Sequence, residues 1–147
     1  MGCFKVNFSI LAAVVLSAMW IALPAQATLG EKFESTYQLK LAPTSGYSTH
    51  ENKSDSSTVK EFADKNGVVF AVTWSGSHHP DLKKLFGKHF THYKAALAQS
   101  PRGHGRAPVE VKNDDIVVRV GGHMGAVHGF AYVPSLVPEG VSVEDLK

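Results

Sequence analysis

The stretch "TVKEFADKNGVVFAVTW", Thr58–Trp74, constrains the fold more than any other part of this sequence. Two strand-forming runs flank Asp64-Lys65-Asn66-Gly67. Asn-Gly is the strongest short hairpin signal, because both residues tolerate the positive φ values of tight turns. In the second run Val68, Phe70, Val72 and Trp74 alternate with Val69, Ala71 and Thr73. By the period of two, the larger set is expected on the buried face. "YSTHE" (Tyr47–Glu51) adds an edge strand across the polar loop "NKSDSS".

A helix is expected next, over "PDLKKLFGKHFTHYKAAL". Pro80 suits its first turn and Asp81 complements the positive end of its dipole. Leu82, Phe86, Phe90, Tyr93 and Leu97 fall on one stripe, flanked by Leu85 and Ala96, with the lysines outside it. Gly87 sits on the polar side, where it costs about 1 kcal/mol relative to alanine. The last third returns to strands: "VEV" and "IVVRV" across "KNDD", then the glycine-rich turn "GGHMG" and the strand "AVHGFAYV". The tail "PSLVPEGV" is apolar enough to pack back on the body. The expected class is α+β: an antiparallel sheet of about five to six strands in two meanders, βββ-α-βββ, with one long helix on one face.

The N-terminal segment reads differently. Lys5 precedes an apolar run from Ile10 to Leu23, closed by Pro24-Ala25-Gln26-Ala27. This is the grammar of a secretory signal peptide, and the run is short for a membrane span. Residues 1–27 are expected to be a cleavable signal peptide, cut after Ala27, with no stable membrane insertion afterwards. Residues 28–45 are read as a weakly ordered arm, with a possible short helix around Phe33–Leu41 broken by Pro43 and Gly46. Residues 46–147 form the single α+β domain. Cys3 is the one cysteine and belongs to the leader, so the mature chain can hold neither a disulfide nor a thiolate zinc site. Lys+Arg number 15 against 13 Asp+Glu. That near-balance lacks the basic excess of a nucleic-acid binder.

Eight histidines are the unusual feature. His89 falls near the middle of the helical stripe and reads as a packed, hydrogen-bonded core residue; His92 lies at the stripe's edge. His78 and His79 precede the helix and point opposite ways in extended backbone, which favours solvent over joint ligation. His104, in "PRGHGR", reads as exposed. His123 beside Met124 offers imidazole next to thioether, a pair that copper tolerates, although a tight turn explains "GGHMG" as well. His78, His79, His92, His123 and His128 are thus the candidate donors of an alternative reading, a Zn, Cu or Ni binder. No HExxH, GxSxG, P-loop or GxGxxG occurs, and Asp114-Asp115 reads as turn chemistry. Arg102 and Arg106 could embrace an acidic group. Trp74, at a strand end beside a polar loop, is a candidate binding edge that also suits a core position.

The segments "ATLG", "VKEFADKNGVVFAVTWSG", "PDLKKLFGKHFTHY" and "GGHMGAVHGFAYVPSLVPEGV" together make the chain resemble domain-of-unknown-function family 2844, short exported proteobacterial proteins. The resemblance implies export and one compact domain, and it carries no known activity or site. The expected function is that of a non-enzymatic periplasmic or envelope binding or accessory protein. Its ligand would be an envelope protein or a surface polymer, not nucleic acid, and no cofactor is expected. Trp74, His78, His79, Arg102, Arg106 and His123 are its candidate ligand-binding residues.

Overall fold

The computed structural model describes residues 28–32, 40–41, 46–100 and 108–146. The expected leader (1–27), most of the Phe33–Leu41 segment and residues 101–107, with Arg102, His104 and Arg106, lie outside them. Seven strands form one antiparallel sheet: β1 Lys40–Leu41, β2 Ser48–Lys53, β3 Ser57–Ala63, β4 Val69–Gly76, β5 Val109–Lys112, β6 Val117–His123 and β7 Ala126–Tyr132. Their order is β1-β2-β3-β4-β7-β6-β5. Two meanders, β2–β4 and β5–β7, join where β4 pairs with β7, Val72 opposite Ala131 and Thr73 opposite Phe130. The expected βββ-α-βββ arrangement is present, with the two-residue β1 added at the edge beside Ser48 and Thr49.

The hairpin at Asp64–Gly67 closes as expected, although only Gly67, and not Asn66, takes a positive φ. Asp64 Oδ1 accepts from the backbone N–H groups of Asn66 and Val68, each at 2.8 Å, and Gly67 supplies φ +78°. The second closes on Asn113, whose Oδ1 accepts from Asp115 N at 3.1 Å and Ile116 N at 2.7 Å. The "GGHMG" turn is tighter than expected: Gly121–His123 belong to β6, and Met124-Gly125 alone make the loop.

The strict alternation expected in β4 does not hold. Ala63 pairs with Val69 but Phe62 pairs with Ala71, so a β-bulge leaves Phe70 as the extra residue. Past the bulge, Val72 and Trp74 share the helix-side core with Val69, while Phe70 joins Ala71, Phe62 and Phe130 on the far face. Both faces of β4 are therefore buried here. Phe70 is 0% exposed, and burying such a ring contributes about 1.5–3 kcal/mol.

The helical segment is interrupted. Helix α1 (Leu82–Phe86) is capped by Asp81, whose carboxylate accepts from Lys83 N at 3.0 Å and Lys84 N at 3.2 Å. Asp81 is thus the cap and Pro80 stands outside the helix. A 3₁₀ turn, Gly87–His89, then leads into α2, Phe90–Gln99. Gly87 ends α1 at φ +48° and lets the Thr28 methyl lie where a side chain would project. The break rotates the stripe: Leu85, Phe86 and Tyr93 are buried, whereas Leu97 is 39% exposed.

Thr28–Lys32, assigned above to a weakly ordered arm, is instead anchored. Leu29 is fully buried, Leu29 N donates to Leu85 O at 2.9 Å, and Gly30 N donates to Val69 O at 2.8 Å. After β7 the tail crosses the far face, where Val137, Val141, Val143 and Leu146 cover Phe62, Phe70 and Phe130. Among the described residues no helix is long and apolar enough to cross a membrane.

Candidate functional site

The tail covers only one half of the far face. Strand registers lay the other half out in transverse rows. One row runs Glu51–Lys60–Thr73–Phe130–Arg119–Glu110 across β2, β3, β4, β7, β6 and β5. The next runs Lys53–Thr58–Ser75–His128–Gly121. Alternation turns all these side chains to the same side. They enclose a depression of about 500 Å³. The His128 imidazole closes one part of it, lying across Gly121 with Nε2 2.8 Å from where a side chain there would begin.

Among the described residues, Lys60 and Arg119 carry the only formal charges on its lining, and no carboxylate lines it. Glu51 and Glu110 stand outside the two cations, each at 3.8 Å, with both cations about half-exposed. Such long, wet pairs are weak. Glu51 is held more closely by Lys53 at 3.0 Å; that hydrogen bond, helped by the charges of Lys53 and Lys60, keeps its carboxyl below the ordinary value.

A second depression, of about 660 Å³, wraps the end of β6, mostly on the helix side where Val109 and Val120 line it, and shares only Gly121 with the first. It gathers three of the expected binding residues: His78 and His79 from the loop after β4, and His123 from β6. His78 Nδ1 is 3.0 Å from Ser77 Oγ, and His123 Nδ1 is 3.0 Å from the Met124 carbonyl. His79 Nδ1 accepts from Trp74 Nε1 at 3.3 Å.

The other expected residues are placed elsewhere or play packing roles. Trp74 is 2% exposed and packs at a tilt against Phe86, 5.9 Å between centroids, so it is chiefly a core residue, although it also contributes to the lining of the first depression. His92 pairs with Asp115 at 2.8 Å beside the β5–β6 turn, the opposite end of β6 from His123. It therefore cannot share a metal with His78 and His79. His128 and His123 line different depressions. Among the described residues no three His, Cys, Asp or Glu side chains converge on a metal position. His89 is packed but not hydrogen-bonded as expected: its Nε2 is buried without a partner among the described residues. Burial, with the charge of Lys88, lowers its pKa and favours the neutral ring.

Sequence reasoning missed Lys60, Thr73, Phe130 and Arg119. The Asp64–Gly67 hairpin carries a signal for the neighbours Lys60 and Thr73. Nothing local announces that β7 lies beside β4.

The architecture is that of an α+β domain with part of one sheet face left open. The chain belongs to the family described as a protein of unknown function (DUF2844), whose model matches residues 25–146. No curated protein and no solved structure matches the chain.

Proposed function

We propose that this chain is an exported, non-enzymatic binding or accessory protein of the periplasm or cell envelope, working through the bare half of the far sheet face. One observation carries the reading. A sheet whose far side is only half sealed by the tail leaves there a depression lined by two cations, hydroxyls and an imidazole. Small scaffolds place recognition on such open surfaces and their loops. The leader supports the location: a lysine, an apolar run and Ala25-Gln26-Ala27 direct export and cleavage after Ala27.

The test is to express the full chain in a bacterium with a periplasm and to sequence the N-terminus of the recovered protein. The processed protein is then sedimented with purified envelope fractions. Expected are a periplasmic protein beginning at Thr28 and co-sedimentation that weakens when Lys60 and Arg119 are both replaced by Gln. An unprocessed cytoplasmic protein, or co-sedimentation indifferent to the replacements, overturns the proposal.

A further inference from the structure

We infer that the depression over the Lys60–Arg119 row takes one kind of occupant: a linear polysaccharide bearing carboxylates. This rests on the reading of the bare face as the binding surface, and adds the chemistry of the ligand.

Charge complementarity is the first argument. Lys60 and Arg119 flank the depression from strands three spacings apart, about 14 Å at the backbone. Thr73 and Phe130 lie between them, and no carboxylate lines the space. Their own glutamates stand on the outer sides at 3.8 Å, so either side chain can turn inward without breaking a close pair. Arg binds a carboxylate through its planar fork and Lys as a point charge.

The remaining lining suits a sugar. Thr58, Thr73 and Ser75 offer three hydroxyls, each able to donate and accept, and His128 adds an imidazole. Carbon surface comes chiefly from Pro108, which is exposed. A pyranose ring presents the matching set: a C–H face, hydroxyls on its rim and, in an acidic sugar, a carboxylate.

Other polyanions fit less well. An extended peptide adds to a sheet edge, where backbone groups are free, and anchors large side chains in pockets. This surface is a sheet face, and Phe130 is only 7% exposed. Single-stranded nucleic acid needs exposed rings on which bases stack, and both rings of this lining are buried, Trp74 at 2% and Phe130 at 7% exposure. A chain also explains the two separated cations: an oligomer reaches both, a monosaccharide only one.

The experiment uses protein exported and processed from the full chain, titrated calorimetrically with galacturonate oligomers of increasing length. Methyl-esterified oligomers, poly-glutamate and inorganic phosphate are run beside them. Expected are affinity that rises from monomer to oligomer, loss on esterification, and weakening with salt. Lys60→Gln and Arg119→Gln should each weaken binding by about tenfold, at unchanged melting temperature because both side chains are half-exposed. Equal or tighter binding of poly-glutamate overturns the sugar assignment, and binding unchanged in both variants overturns the site. No binding to any acidic oligomer, with envelope co-sedimentation still sensitive to the double replacement, overturns the carboxylate chemistry while leaving the binding surface in place.

Discussion

Trp74 lies over Gly129. The two residues oppose each other across β4 and β7, and the indole fills the space that any side chain at position 129 would need. The contact sits on the seam between the meanders and holds the largest ring of the helix-side core against bare backbone. Gly129→Ala forces the indole off its seat, and overpacking of this kind costs about 1–3 kcal/mol. Urea unfolding should show a lower midpoint at unchanged slope; an unchanged midpoint would show that the ring has room to shift.

Asp64→Ala removes the acceptor that organises the first turn. Two backbone N–H groups lose a charged partner at 2.8 Å. The turn is partly wet, so water replaces some of the loss, and we expect destabilisation of about 1–2 kcal/mol. Asp64→Asn keeps one side-chain oxygen and should recover a large part. Thermal melts of both variants check the order.

Acid should weaken the fold through His89. Burial first, and Lys88 second, lower its pKa in the folded state, whereas the unfolded side chain titrates near its ordinary value of about 6.5. The unfolded chain therefore binds the proton first. The stability in question is present above that unfolded value and is lost as pH falls from it through the lower folded value. His89→Leu should flatten this part of the stability–pH curve. An equally steep curve in the variant would place the dependence on other groups.

Zinc, copper and nickel should leave the melting temperature where it is. A stoichiometric site at a hundred times its Kd would stabilise the fold by about 2.7 kcal/mol, a rise of several degrees. His78, His79 and His123 share a depression, but among the described residues no three His, Cys, Asp or Glu side chains converge, and accepting from the Trp74 indole at Nδ1 leaves the proton of neutral His79 on Nε2. A clear stabilisation lost on replacing His79 would restore the metal reading.

The sequence was most readable where structure is local. Asp64-Lys65-Asn66-Gly67 and Lys112–Asp115 announce their turns because the residues that make them are adjacent, and the apolar tail announces its packing. Alternation misled at Phe70, since a single bulge exchanges the faces on either side of it and leaves no mark in the residue pattern. Periodicity misled at Leu97, because a break at Gly87 resets the helical phase. The candidate site divides the same way. His78, His79 and His123 are conspicuous loop and turn residues. Lys60, Thr73, Phe130 and Arg119 look like unrelated strand residues until β4 and β7 meet.

That meeting also sets the order in which the molecule can assemble. Each meander zips from short-range turns, whereas the β4–β7 seam waits for a strand far along the chain, and such distant pairings form late. Until β7 arrives, β4 is an apolar edge whose far face lacks Phe130 and the tail, open to pairing with another copy. A nascent or truncated chain ending before Ala126 therefore carries its most aggregation-prone strand uncovered, and completion of the last hairpin is the step that makes the protein safe in its own company.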